Sequence, residues 1–263
     1  MLSIDLKNKT AIVTGVSSGI GAGVAEVLAR AGCNVAGCAR ADKNSENIQS
    51  FIKSVEQHGQ KAFYKSVDVT KEEQINSFVE NVAEEFGGID IVISNAGVNI
   101  FRGAAQCSEE DWTYNHELNL ASHWHLAKAS KQWLEKDSQG VFIVMTSNHA
   151  FSSIPGCFPY NVTKTALTGL VRALAIEWGP GIRVLGLAPG FIDTPGNDEW
   201  FRSFPNPEEE RQRTIKLHPA GKLGTPEEVG SWCAFLCSDM AAFATGTTYL
   251  LDGGRSALMQ DEN

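Results

Sequence analysis

Thr10-Ala11-Ile12-Val13-Thr14 runs into Gly15-Val16-Ser17-Ser18-Gly19-Ile20-Gly21, after which Val24, Val27 and Leu28 recur at helical spacing. Residues 10–14 are apolar or β-branched and read as a short buried strand. The apolar face beyond the glycines predicts a helix to about Ala31. A strand, a glycine-rich turn and a helix together are what a dinucleotide site requires. Gly15 permits a tight turn. Gly19 and Gly21 let the backbone approach a pyrophosphate at the positive helix N-terminus. The spacing is Gly-x-x-x-Gly-x-Gly, not the commoner Gly-x-Gly-x-x-Gly. Alone, such a stretch is a flexible turn; its place between a strand and a helix points to a nucleotide.

Outward from that unit, strand-like runs at 10–14, 34–38, 61–66, 90–94, 140–146, 182–188 and 248–251 alternate with helical ones at 19–31, 45–58, 71–86, 109–136, 159–179 and 225–237. The alternation predicts one α/β domain over 1–263. The expected form is a doubly wound Rossmann fold, a single parallel sheet of about seven strands with helices on both faces. Ligand then lies at the carboxyl ends of the strands. Residues 190–224 break the pattern with Pro195, Pro205, Pro207 and Pro219 and the run Glu208-Glu209-Glu210-Arg211-Gln212-Arg213. This stretch reads as a substrate lid, which Trp200, Phe201, Phe204 and Leu217 could pack down as short helices. Its glutamates read as a solvated face.

The chain has 263 residues, 43% of them hydrophobic and 20% charged, with a net charge of −9. That balance excludes nucleic acid as a partner, because a phosphate backbone demands basic patches. No apolar stretch reaches the roughly 20 residues of a membrane span, and the start lacks an apolar signal core; a cytoplasmic protein is expected. The cysteines at 33, 38, 107, 157, 233 and 237 form no Cys-x-x-Cys and read as small buried hydrophobes in a reducing compartment. His123 and His125 point apart on a helix, so no metal site is expected.

Tyr160 and Lys164 stand one helical turn apart, thirteen residues after Ser147. An ammonium beside a phenol favours the phenolate and lowers a pKa that starts near about 10. A tyrosine so tuned can exchange a proton near neutral pH. Tyr-x-x-x-Lys is common by chance and gains its weight from the nucleotide site that precedes it. No Gly-x-Ser-x-Gly surrounds Ser147, which excludes a serine hydrolase of that type. At the end of the second strand, an acid would bind the ribose hydroxyls and select NAD; Ala39-Arg40 stands there instead. A guanidinium can pair with a 2′-phosphate, so NADP is the expected cofactor. The turn at 15–21 has no basic residue, only Ser17 and Ser18 as hydroxyl donors, and use of NAD is the alternative.

Thr14-Gly15-x-x-x-Gly19-Ile20-Gly21, Asn95-Ala96-Gly97, Asn119, Ser147, Tyr160-x-x-x-Lys164 and Pro189-Gly190 resemble, in order and spacing, the short-chain dehydrogenase/reductase family. The match runs from Leu6 to Asp252-Gly253-Gly254. The resemblance implies Tyr160 as acid/base, Lys164 also holding the nicotinamide ribose, Ser147 on the substrate oxygen and Asn119 holding a proton-relaying water. It implies Asp68, followed by Val69, at the adenine, and Asn95-Ala96-Gly97 bordering the cofactor. It places the Ile192 backbone and Thr194 hydroxyl, after Pro189-Gly190, on the carboxamide. Asp68 and Thr70 also compete as caps for the helix at 71. Two residues depart from the family pattern: Leu185 stands where many relatives have asparagine, and Gly23 where alanine is usual.

For the substrate, His149, Asn99 and Arg102 are expected at the pocket, with Trp200 and His218 on the lid. These favour a hydroxylated substrate, a sugar or polyol, and the place of His149 looks like that of a histidine in sugar 1-dehydrogenases of the family. Phe101, Phe151 and Phe158 favour the alternative, a carbonyl or 3-oxoacyl reductase for a less polar ketone. A non-catalytic nucleotide sensor is a further alternative, opposed by the intact Asn119, Ser147, Tyr160 and Lys164 set. The helices at 109–136 and 159–179 carry apolar residues on more than one side: Trp112, Leu118, Leu120, Trp124, Leu126 and Trp133, then Leu167, Leu170, Val171, Leu174 and Trp178. One stripe suffices against a sheet, so the surplus predicts an interface. Relatives pair through these helices, and a homotetramer is expected.

Overall fold

The computed structural model describes residues 3–136 and 139–259; residues 1–2, 137–138 and 260–263 of the expected domain lie outside them. β1 (Thr10–Thr14), β2 (Asn34–Ala39), β3 (Ala62–Ser66), β4 (Ile91–Ser94), β5 (Gly140–Met145), β6 (Ile182–Pro189) and β7 (Thr248–Leu251) form one parallel sheet in the order β3-β2-β1-β4-β5-β6-β7. Each strand falls where its apolar run predicts it. Ala11 pairs with Val35 on one side and Ile91 on the other, so the strand order reverses at β1 and opens a crevice between the ends of β1 and β4.

Alternate residues along each strand face opposite ways. Val13, Ile93, Ile143 and Leu185 pack on one face with α1 (Gly19–Arg30), α2 (Glu46–Glu56) and α9 (Pro226–Cys237). Ile12, Val92, Phe142 and Val184 pack on the other with α3 (Glu72–Phe86), α5 (Ser122–Leu134) and α6 (Tyr160–Trp178). The central strands are apolar without alternation because both faces are covered. Leu185 takes its family-atypical place as a fully buried core residue. Gly23 is explained by close approach: a Cβ there would strike Pro226 at the start of α9. That contact outweighs the roughly 1 kcal/mol a helical glycine costs.

The helix expected over 109–136 is interrupted. α4 (Glu109–His116) passes into a π-helical turn, Glu117–Ala121, before α5. Such wide turns mark functional sites, and this one carries Asn119. The lid is more regular than its prolines predict: it holds α7 (Pro195–Arg202) and α8 (Pro207–Lys216). The Thr194 and Asn206 side chains accept the Asn197 and Glu209 amides, and proline follows each at the first helical position. There it has no amide to lose and a preset φ. Neither Asp68 nor Thr70 caps α3; Lys71 is the N-cap, with no side-chain bond.

Cys107 is half-exposed, unlike the other five cysteines. His123 and His125 diverge: the His123 Nδ1 lies 2.7 Å from Ser94 Oγ, and His125 Nε2 lies 3.8 Å from Glu72. Among the described residues no helix is long and apolar enough to cross a membrane. The surplus of apolar residues on α4–α6 is smaller than the sequence predicts. Leu118, Leu126, Leu167, Val171 and Leu174 are buried, Leu120, Leu170, Trp133 and Trp178 pack half-buried against the same core, and Trp112 is also half-buried. Trp124 is 47% exposed and Ile176 is 82% exposed.

Candidate active site

Thr14 ties together the two strand ends that flank the crevice. Its hydroxyl accepts the Asn95 and Ala96 amides, each at 2.9 Å, and its carbonyl accepts Asn95 Nδ2 at 2.8 Å. Gly15 adopts φ +78°, which a side chain resists. A Cβ on Gly21 would strike the Gly15 carbonyl. The turn therefore presents bare backbone. α1 begins at Ser18 without a side-chain cap and with no acid in its first turn, whereas α7, α8 and α9 are all side-chain capped. Uncapped amides at a positive helix end fit a pyrophosphate.

From this turn a cleft of about 1170 Å³ crosses the carboxyl edge of the sheet. Its wall brings together Gly15, Ser17, Ser18, Gly19, Ile20, Gly21, Arg40, Asp68, Val69, Asn95, Ala96, Gly97, Pro189, Gly190, Ile192 and Thr194 with Asn99, Arg102, Ser147, His149, Tyr160, Lys164 and Trp200. Asn119 is not in the wall; it is fully buried behind it. Its Oδ1 accepts the Val98 amide at 3.1 Å, and its Nδ2 donates to the Val98 carbonyl at 2.9 Å and to Asn115 Oδ1 at 2.8 Å. The π turn thus aims Asn119 at the segment after β4 and fixes it there.

Tyr160 is the first residue of α6 and Lys164 lies one turn on; both are buried, at 8% and 3% exposure. The Lys164 ammonium donates to the Met145 carbonyl at 2.9 Å, at the end of β5, and lies 5.6 Å from the Tyr160 ring centre. Ser147 follows on the same strand end, its Oγ accepting the His149 amide at 3.2 Å. Phe101 and His149 enclose the phenol, their ring centres 5.4 and 6.2 Å from it. Burial pushes the Tyr160 phenol up to about 12, and the Ser147 hydroxyl opposes this. Burial alone pushes Lys164 down to about 7. In the empty site burial thus sets the phenol above its ordinary value, the opposite of the net direction its spacing from the lysine predicts. The lysine is itself desolvated, so at neutral pH it carries only part of a charge.

The remaining predicted residues divide by what else they hold. Arg40 is exposed, its Nη1 3.4 Å from the Tyr114 hydroxyl. Asp68 lines the cleft, and its Oδ1 accepts the Thr70 amide at 3.0 Å and hydroxyl at 2.8 Å. Arg102 is committed to Asp111, through Nε at 2.7 Å and Nη2 at 2.9 Å. The Ile192 carbonyl accepts Asn197 Nδ2 at 2.7 Å, and its bridge to Gly224 uses the Phe191 carbonyl and the Asp193 amide. Trp200 packs on Phe191, Phe201 and Phe204 within the lid. Thr14 and Tyr114 were missed as site residues; for Thr14 the signal was a hydroxyl directly before the first glycine.

The family model described as enoyl-(acyl carrier protein) reductase matches residues 15–256. The chain is 35% identical over 252 residues to 3beta-hydroxysteroid dehydrogenase 1 of Eggerthella lenta, covering 95% of this chain and 94% of that one. It is 33% identical over 252 residues to the 3-oxoacyl-acyl-carrier-protein reductase FabG of Vibrio cholerae, covering 95% and 98%. The ligand-free aldohexose dehydrogenase of Thermoplasma acidophilum superposes with a TM-score of 0.89 at 26% identity, over 100% of this chain and 99% of that one. A buried Tyr160–Lys164 pair at the mouth of a dinucleotide crevice, on a chain matched over nearly its whole length, places this protein in the short-chain dehydrogenase/reductase family of NAD(P)-dependent oxidoreductases acting on CH–OH and carbonyl groups.

Proposed function

We propose that the chain is an NADP(H)-dependent oxidoreductase that moves hydride between nicotinamide and a secondary alcohol, lactol or carbonyl of a sugar or polyol. The observation that carries the substrate reading is the wall beside Tyr160. His149 stands edge-on to the phenol, with Asn99, Asn197, Thr214 and His218 along the same cleft. Such groups suit hydroxyls better than a steroid or an acyl chain. Phe101, Phe191 and Trp200 favour the second reading, a reductase for a less polar ketone. A panel of aldoses, polyols and oxoacyl ketones, followed by absorbance of the reduced cofactor, separates the two.

When bound, the cofactor supplies the hydride donor or acceptor at nicotinamide C4 and, if oxidised, a positive charge. The residues that fit it are the bare turn at 15–21, Arg40 at the 2′-phosphate, Asp68 and Val69 at the adenine, and Ile192 and Thr194 at the carboxamide. Ala39 removes the acid that would repel the 2′-phosphate. For reduction, Tyr160 is already a phenol at neutral pH and gives its proton to the substrate oxygen. Ser147 donates to that oxygen as charge develops. For oxidation, the phenol must ionise, and a lysine titrating near neutral pH one turn away takes up or supplies the proton. Asn119 acts through Val98, holding the Asn95–Gly97 segment against Lys164. The free thiols of all six cysteines agree with a cytoplasmic setting. Trp124 and Ile176 on the α5–α6 side, with Phe235 on α9 and Phe243 beyond it, leave apolar surface for two interfaces and a homotetramer.

Tyr160→Phe is expected to keep fold and cofactor binding while kcat falls by roughly 10²–10⁴; a variant with most of the wild-type kcat refutes the acid/base role. Arg40→Asp should lower the NADP:NAD ratio of kcat/KM by roughly ten- to a hundredfold, and an unmoved ratio removes Arg40 as selector. Lys164→Met should stabilise the cofactor-free protein most below about pH 7, where a buried ammonium is carried in full. Between pH 7 and roughly 10.4 the unfolded chain binds the extra proton, native stability rises with pH, and the advantage of methionine fades. Urea unfolding at both ends of that window measures this; a gain that does not change with pH contradicts it. Light scattering should find a tetramer, and a stable monomer at micromolar concentration overturns that assignment.

A further inference from the structure

The cleft has a second basic end that the reaction does not use. Beyond β7 the chain turns through Asp252 and brings Arg255 into the wall, opposite Arg213 on α8. Arg40 follows β2, five strand positions away across the sheet, a span of roughly 24 Å. The two arginines therefore serve different ends of the cleft, and Arg255 is remote from the nucleotide 2′-phosphate.

Arg255 is half-buried, and among the described residues its guanidinium has no ion-pair or hydrogen-bond partner. The carboxylate nearest in the chain is already committed: Asp252 accepts the Gly254 amide at 3.0 Å and the Ser256 amide at 2.7 Å, which closes the turn. Arg213 is engaged by Glu210, Nε to Oε2 at 2.9 Å. Burial pulls the Arg255 guanidinium down, and the like charge of Arg213 adds to this. Only the charge of Asp252, which makes no bond to the guanidinium, opposes this, and a half-buried guanidinium with no hydrogen-bonded carboxylate is costly unless an anion joins it. The same wall holds three buried polar atoms without partners: His149 Nδ1, His218 Nε2 and Ser256 Oγ.

Position relative to the chemistry is set by His149. Its ring lies 6.2 Å from the Tyr160 ring. Burial first, and then the charge of Arg255, hold the imidazole below its ordinary pKa. His149 and Arg255 line the same cleft as Tyr160, and the Arg255 charge is close enough to act on the imidazole. With a substrate oxygen at Tyr160 and Ser147, the rest of a short hydroxylated chain shares the cleft with His149 and Arg255.

We propose that Arg255 is the specificity residue of the substrate site, and that it pairs with an anionic group, a carboxylate or a phosphate monoester, on the end of a hydroxylated substrate remote from the reacting carbon. This rests on the oxidoreductase reading of the Tyr160 site. The neutral imidazole of His149 then bonds hydroxyls in the middle of the substrate.

The test compares D-glucose with D-glucuronate and D-glucose 6-phosphate, which share the lactol carbon and differ at the remote end. Steady-state rates are measured with NADP at fixed ionic strength. In the wild type, one of the two anions should exceed glucose in kcat/KM by roughly tenfold or more, carried by KM. The preferred arm identifies the anion as carboxylate or phosphate. Arg255→Gln should collapse that ratio by roughly tenfold, and Arg255→Lys should keep part of it. A wild type that never favours an anion, or a preference that survives Arg255→Gln, overturns the proposal. Calorimetric titration of the NADP-loaded protein with the same two anions separates the two readings. Binding that weakens roughly tenfold in Arg255→Gln, without turnover, keeps the anion site and refutes the proposed reaction. Absent binding, or equal binding by both proteins, overturns the anion site.

Discussion

A nearly buried lysine is the constraint around which the crevice is arranged. Lys164 is 3% exposed, and its ammonium has one hydrogen-bond acceptor among the described groups, the Met145 carbonyl. Burying that charge destabilises the empty protein. It is tolerated because β5 ends where α6 begins its first turn, so the carbonyl and the amine meet without either element bending. Gly97 lies on the other side of the ammonium, and a Cβ there would crowd Asn119 Oδ1. The Asn119 fork to Val98 then fixes that segment from behind. The pair of Tyr160 and Lys164 is therefore supported from two strand ends, β5 and β4, rather than by its own helix alone.

The same arrangement explains the direction of the titrations. A phenol raised to about 12 and a lysine lowered to about 7 are both nearer their neutral forms than in water. A neutral phenol and an only partly charged lysine, with Phe101 and His149 around the phenol, are the resting state. The charge that develops on a substrate oxygen is stabilised during reaction rather than before it.

Much of this was legible in the sequence because parallel strands covered on both faces are written as continuous apolar runs. Thr10–Thr14 and Gly140–Met145 are the clearest examples. Their ends carry the functional residues, so Gly15, Asn95, Ser147 and Pro189 came with them. What was not legible depended on tertiary contacts. α7 and α8 are short and polar, and their prolines read as breakers until the capping side chains of Thr194 and Asn206 are seen. The π turn leaves no pattern of its own, because widening one turn does not change which residues are apolar. Arg102 reads as a free cation until Asp111, nine residues on, is brought against it. The pKa of Tyr160 went the other way from its spacing argument, since spacing reports a neighbour and not the burial of both.

The central claim is that hydride, not a proton, leaves the substrate carbon, at a site organised by Tyr160. The most direct measurement uses the best substrate of the panel, deuterated at its reacting carbon, with NADP. Mass spectrometry and proton NMR of the reduced cofactor should find one deuterium at nicotinamide C4 for each turnover, and none in the solvent. Deuterium released to water, or reduced cofactor formed without label, would contradict direct transfer and the account built on it.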